Sequence, residues 1–139
     1  MPFKLNISEK GKAWKLETES DFLMGKSLGD KFDGKEIKTE LSGYELEITG
    51  GTDFAGFPLS KNVEGITLKK VLLKKGFGMH KRPRKGGKKK VATPRGLRLR
   101  KTLRGKTNSD KTTQINIKVL KPGKTSLKEI FPEQNQLKE

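Results

Sequence analysis

Seventeen lysines and arginines and the chain's single histidine fall between Gly65 and Ser109, and those 45 positions hold neither Asp nor Glu. Side chains of these types in such density have one evident chemistry, the neutralisation of phosphate. Lysine meets it as a point charge, whereas the arginine fork binds two oxygens at once and also stacks on bases. Lysines dominate Lys69 to Lys90 and arginines dominate Arg95 to Arg104, with Gly76, Gly78, Pro83, Gly86, Gly87, Pro94 and Gly96 keeping the backbone between them thin. The candidate RNA contacts are therefore Lys69, Lys70, Lys74, Lys75, His80, Lys81, Arg82, Arg84, Lys85, Lys88, Lys89, Lys90, Arg95, Arg98, Arg100, Lys101, Arg104 and Lys106. Phe54, Phe57 and Phe77, all in loops, are candidates for docking or base stacking; packing back onto the body is the alternative for Phe54 and Phe57.

The charge is local. Residues 1–64 carry nine basic and twelve acidic side chains and residues 110–139 carry six and four, so the +17 of one internal stretch exceeds the chain's net charge of +16. Like charges are held together against their own repulsion when a polyanion neutralises them, and nucleic acid is the default one. Six to ten phosphate contacts would make affinity fall about 10³- to 10⁵-fold between 50 and 200 mM salt. Such contacts position a protein without reading sequence.

Other chemistries find little support. Gly29 to Lys35, GDKFDGK, has the glycine and lysine spacing of a phosphate-binding P-loop, but Glu36 stands where a magnesium-binding hydroxyl belongs and Asp30 and Asp33 would face the phosphates. Gly105-Lys106-Thr107 has Arg100 in place of the earlier glycine. Metal-dependent phosphodiester cleavage needs clustered carboxylates, and Asp30, Asp33 and Asp53 read as turn residues bonding their own backbone. With no cysteine and one histidine there is no disulfide frame or zinc site, and no cofactor or small-molecule substrate is implied. The N-terminal stretch lacks a signal-like apolar run, and nowhere do eighteen uncharged apolar residues follow one another, so neither export nor a membrane partner is expected.

The elements that must position the cations are mostly strands. Phe3, Leu5 and Ile7 alternate with polar residues, Glu9 to Lys12 form a turn, and Ala13 to Glu17 return, predicting a hairpin with Trp14 at the core. Ser20 as N-cap predicts one helical turn to Met24, stopped by Gly25. Tyr44, Leu46 and Ile48 predict a strand closed by Gly50-Gly51; Ile66 to Leu73 predict another, and Thr113 to Leu120 a last one. Leu97, Leu99 and Leu103 alternate with Arg98, Arg100 and Arg104, an extended strip with one face for protein and one for phosphate. Ser126 and Glu129 have capping-box spacing before Pro132. With 30% hydrophobic and 35% charged residues the core is small, so the expectation is a mainly β fold, a small β-barrel-like body with short helical turns. Its divisions would be a body over 1–75, a basic arm over 76–112, and a returning strand and short C-terminal segment over 113–139.

Four motifs in order, GGTDFAGFP (Gly50 to Pro58), VLLKKGFG (Val71 to Gly78), GLRLRKTLRGKT (Gly96 to Thr107) and QINIKVLKPG (Gln114 to Gly123), resemble the archaeal and eukaryotic (e-type) small-subunit ribosomal protein six family. GKSLGDKFDG (Gly25 to Gly34) is similar to that family's early segment. The resemblance implies a structural, non-catalytic constituent of the cytoplasmic small subunit, with ribosomal RNA and neighbouring ribosomal proteins as partners. It places RNA contact on the RKTLRG segment, Arg100, Lys101 and Arg104, with their basic neighbours, and a role on the GGTDFAGFP loop. Eukaryotic members continue into a basic helical tail with phosphorylated serines; the chain stops at Glu139, so the short archaeal form without that switch is expected. The alternative is a freestanding nucleic-acid binder such as an RNA chaperone or a chromatin-like protein.

Overall fold

The computed structural model describes residues 3–19, 21–79 and 95–134, together with the backbone pairs 84–85 and 89–90. The predicted hairpin is formed by β1 (Phe3–Glu9) and β2 (Lys12–Thr18), turning through Lys10 and Gly11, both at positive φ. A short β3 (Lys31–Asp33) follows, then β4 (Glu45–Asp53) and β5 (Leu68–Lys74). Two-residue strands β6 (Arg84–Lys85) and β7 (Lys89–Lys90) precede β8 (Arg98–Arg104), β9 (Thr112–Lys121) and a single-turn α1 (Leu127–Ile130). Single 3₁₀ turns lie at Asp21–Leu23, Gly34–Glu36 and Thr39–Leu41.

Five strands form one sheet in the order β2-β1-β9-β4-β3, with β9 parallel to β1 and antiparallel to β4. The alternation in the sequence becomes a row of paired apolar residues: Leu5 opposite Ile115, Ile7 opposite Ile117, and Ile48 opposite Ile117 from the other side. Each is buried, and a side chain of this size contributes about 1.5–3 kcal/mol when removed from water. Phe3, Trp14, Leu23, Phe32, Leu41, Tyr44, Leu46, Leu127 and Phe131 complete that cluster. The mainly β expectation holds, but neither the sheet nor the hairpins close into a barrel: β2 and β3 are the ends of the strand order.

Two local expectations change. Gly50-Gly51 does not end its strand; β4 runs on to Asp53 with a bulge between Ile48 and Gly50. Gly51 is glycine because a Cβ there would lie 2.5 Å from the Gln114 carbonyl oxygen on the neighbouring strand. At α1, Ser126 is the N-cap residue with extended dihedrals, yet its side chain makes no capping bond. The predicted turn after residue 20 is present at Asp21–Leu23, while Ser20 lies outside the described residues.

Candidate nucleic-acid interface

The basic stretch is a two-stranded ribbon at its root. β5 pairs antiparallel with β8 over seven residues, from Leu68 opposite Arg104 to Lys74 opposite Arg98. Opposed residues share a face, so the register sorts the cations. Lys70, Lys74, Arg98 and Arg100 lie on one face with Leu68, Leu72, Thr102 and, at the covered end of β8, Arg104; Lys69 and Lys101 lie on the other with Val71, Leu73, Leu99 and Leu103. On the first face Leu68 and Leu72 are 45% and 51% exposed, and none of the four cations has a carboxylate partner among the described residues. The leucine side is half-covered instead: the turn at Gly76–Met79 folds over it, Met79 is fully buried, and a Cβ on Gly78 would touch Leu73 and Leu103.

The ribbon is tied to the body through its second strand. Residues 58–60 bridge to Thr52 of β4 on one side and to Arg104 of β8 on the other, with the Leu59 amide donating to the Gly51 carbonyl and the Ser60 amide to the Arg104 carbonyl. Beyond β8, Gly105 and Thr107 donate to the carbonyls of Thr67 and Gly65, and Asn108 to that of Lys26. Leu59, Val63, Met79 and Leu103 are buried there, apart from the main cluster.

Arg104 needs correcting as a candidate RNA contact. Its side chain is 6% exposed, its Nε donates to Asp53 Oδ2 at 2.7 Å, and its Nη1 donates to the Ile66 carbonyl at 2.8 Å. It follows the alternation of β8, but the strand's end is covered by residues 58–60, so the guanidinium is spent inside the protein. Asp53 is the turn residue expected, since its Oδ1 accepts from the amides of Ala55 and Phe57. Sequence reasoning missed that its second oxygen anchors the ribbon. The only signal was an acid and an arginine in two motifs 51 residues apart.

The remaining candidates scatter. Lys75 and Arg95 are exposed beyond the ribbon's ends, and Lys106 pairs at 3.1 Å with the exposed Glu64. Arg84, Lys85, Lys89 and Lys90 enter as backbone, Arg84 paired with Lys90 and Lys85 with Lys89. His80, Lys81, Arg82 and Lys88 lie outside the described residues. Of the three phenylalanines, Phe54 and Phe77 are 62% and 63% exposed, whereas Phe57 is half-buried. Away from the ribbon, the Tyr44 hydroxyl donates to the Thr125 carbonyl; burial, with smaller contributions from Glu9 and Glu129, raises its pKa above the ordinary tyrosine value. Among the described residues no helix is long and apolar enough to cross a membrane.

A family model described as "Ribosomal protein S6e" matches residues 3–132. Proteins named small ribosomal subunit protein eS6 are similar over most of their lengths. That of Methanothermobacter thermautotrophicus is 42% identical over 134 residues, covering 94% of this chain and 96% of its own. That of Methanococcus maripaludis is 40% identical over 129 residues (91% and 94%), and that of Nanoarchaeum equitans 39% over 133 residues (94% and 90%).

Proposed function

The chain belongs to the ribosomal protein S6e family, and from that premise we propose that it is a structural constituent of the small ribosomal subunit that holds ribosomal RNA with its β5–β8 ribbon. One observation carries the ribbon's part: Lys70, Lys74, Arg98 and Arg100 share a face that holds no carboxylate and exposes two leucines. Four cations fixed on a rigid ladder present phosphate ligands at set spacing, and the leucines between them suit the shallow sugar-lined groove of an A-form helix. The body is the charge-balanced platform; the arm's root moves back from residue 76 to Leu68, since β5 belongs to the ribbon. The work is positional and needs no catalytic group. Neighbouring ribosomal proteins are the partners we assign to the exposed Phe54 loop, and the ribosome in the cytoplasm is its place.

Replacing Lys70, Lys74, Arg98 and Arg100 together by alanine tests this. Each phosphate contact contributes roughly 0.9 to the slope of log affinity against log salt, so the slope for a structured RNA should become less steep by about 3 to 4. Small subunits should then incorporate the variant poorly. An unchanged slope with normal incorporation would remove the ribbon from the interface. Sedimentation separates the alternative reading: a freestanding binder leaves the small subunit at moderate salt, and a constituent does not.

A further inference from the structure

A groove of about 500 Å³ opens between the polar side of β4 and β9 and the ribbon's turn, within the range of small-ligand sites. None of its lining residues is acidic. Its lining includes Gly50, which follows the bulge of β4 and above which packing leaves room for a side chain. Its φ is not in the left-handed region, and an added Cβ would meet only Asn116 Nδ2, at 3.8 Å. A glycine inside a strand costs stability and marks a bulge, as β4 has here, or the close approach of something else, for which the space above Gly50 is open.

Beside that space stands a donor already oriented. Asn116 Oδ1 accepts from Asn6 Nδ2 at 3.4 Å and from Gln114 Nε2 at 3.0 Å, which turns Nδ2 towards Gly50 with no acceptor among the described residues. The far wall is Phe77, which stays 63% exposed on a turn closed by reciprocal 3.1 Å bonds between Gly76 and Met79. That turn seats Met79 fully in the interior and holds the aromatic ring out, with Gly76 and Gly78 both at positive φ. Lys61 is exposed at the rim.

An aromatic plane, a fixed amide donor, open space above Gly50 and a nearby cation match one unstacked nucleotide. We infer that the groove takes a single unpaired base of RNA, stacked on Phe77, bonded through an acceptor atom to Asn116 Nδ2, with its phosphate near Lys61. This rests on the RNA-binding reading above and adds to it a preference for helices interrupted by an unpaired nucleotide.

The probes are an RNA duplex with one unpaired 2-aminopurine and the same duplex fully paired, each titrated with the full chain. The wild type should bind the interrupted duplex roughly 5- to 100-fold tighter, the range one base–aromatic stack gives, and the 2-aminopurine fluorescence should be quenched. Gly50→Val, which suits a strand and fills the space above Gly50, and Phe77→Ala should each abolish that preference while leaving affinity for the paired duplex unchanged and without lowering the thermal transition. Equal wild-type affinity for the two duplexes, or a preference that survives both variants, would overturn the inference. If a protein segment filled the groove instead, the variants would lower incorporation into subunits and leave both RNA affinities alone, which also overturns it. Failure of the wild type to bind either duplex would fall on the ribbon as well.

Discussion

Replacing Asp53 by asparagine is expected to loosen the joint between ribbon and body at a cost near that of breaking a buried ion pair, about 3–5 kcal/mol. The carboxylate is fully buried and takes three bonds: from Ala55 N at 3.0 Å, Phe57 N at 2.8 Å and Arg104 Nε at 2.7 Å. Asparagine keeps an oxygen for the two turn amides but turns an N–H₂ towards the arginine, leaving an almost fully buried guanidinium without its counter-charge. Urea unfolding followed by the fluorescence of Trp14, the chain's one tryptophan and 3% exposed, measures the loss. With a slope of about 2 kcal/mol per M the midpoint should fall by about 2 M. Arg104→Met should cost somewhat less, because Asp53 keeps its two amide donors. The double variant should be less destabilised than the sum of the two, by about 1–3 kcal/mol, since it removes both charges. At salt concentrations where Arg104→Met is folded, its RNA affinity should keep the wild-type salt slope. A midpoint shift equivalent to less than 1 kcal/mol for Asp53→Asn, or strict additivity in the double variant, would refute the joint.

Tyr44 is the only tyrosine, so phenolate absorbance reports on it alone. Its raised pKa means that the folded state holds the proton after the unfolded state would release it, so its contribution is intact below about 10 and lost as pH rises further. A titration in which Tyr44 ionised at or below the ordinary tyrosine value would contradict its burial. Gly105→Ala should fail to form a stable ribbon root, because its Cβ would lie 1.9 Å from the Gly65 carbonyl oxygen; loss of slow amide exchange at Thr107 would show it, and wild-type protection would count against the close approach. Ser126→Ala should lower the melting midpoint far less than the loss of a working N-cap, which costs about 1 kcal/mol, since the hydroxyl makes no capping bond. A full-sized loss would mean that the bond forms.

Much of the secondary structure was legible because it is local. The β1–β2 hairpin, the apolar rows of β4 and β9 and the arginine–leucine alternation of β8 all follow from a period of two, and the acid-free stretch is plain by inspection. The strand ending assigned to Gly50-Gly51 failed because a glycine pair marks a turn or a close approach equally well, and only the Gln114 carbonyl next to Gly51 distinguishes them.

What the amino-acid order determined alone is which segments extend, which side of each is apolar, and that one stretch is cationic without exception. The folded chain decided which strands meet: β9 enters between β1 and β4, and β5 leaves the body sheet to pair with β8. That pairing puts Arg98, Arg100 and Arg104 on one face, and residues 58–60, lying over the strand's end, leave the first two open and seal Arg104 against Asp53. The reason is that a strand's pattern states its faces but not its partner. Partner and register are set by hydrogen bonds between distant segments, chosen only when the whole apolar surface is buried at once.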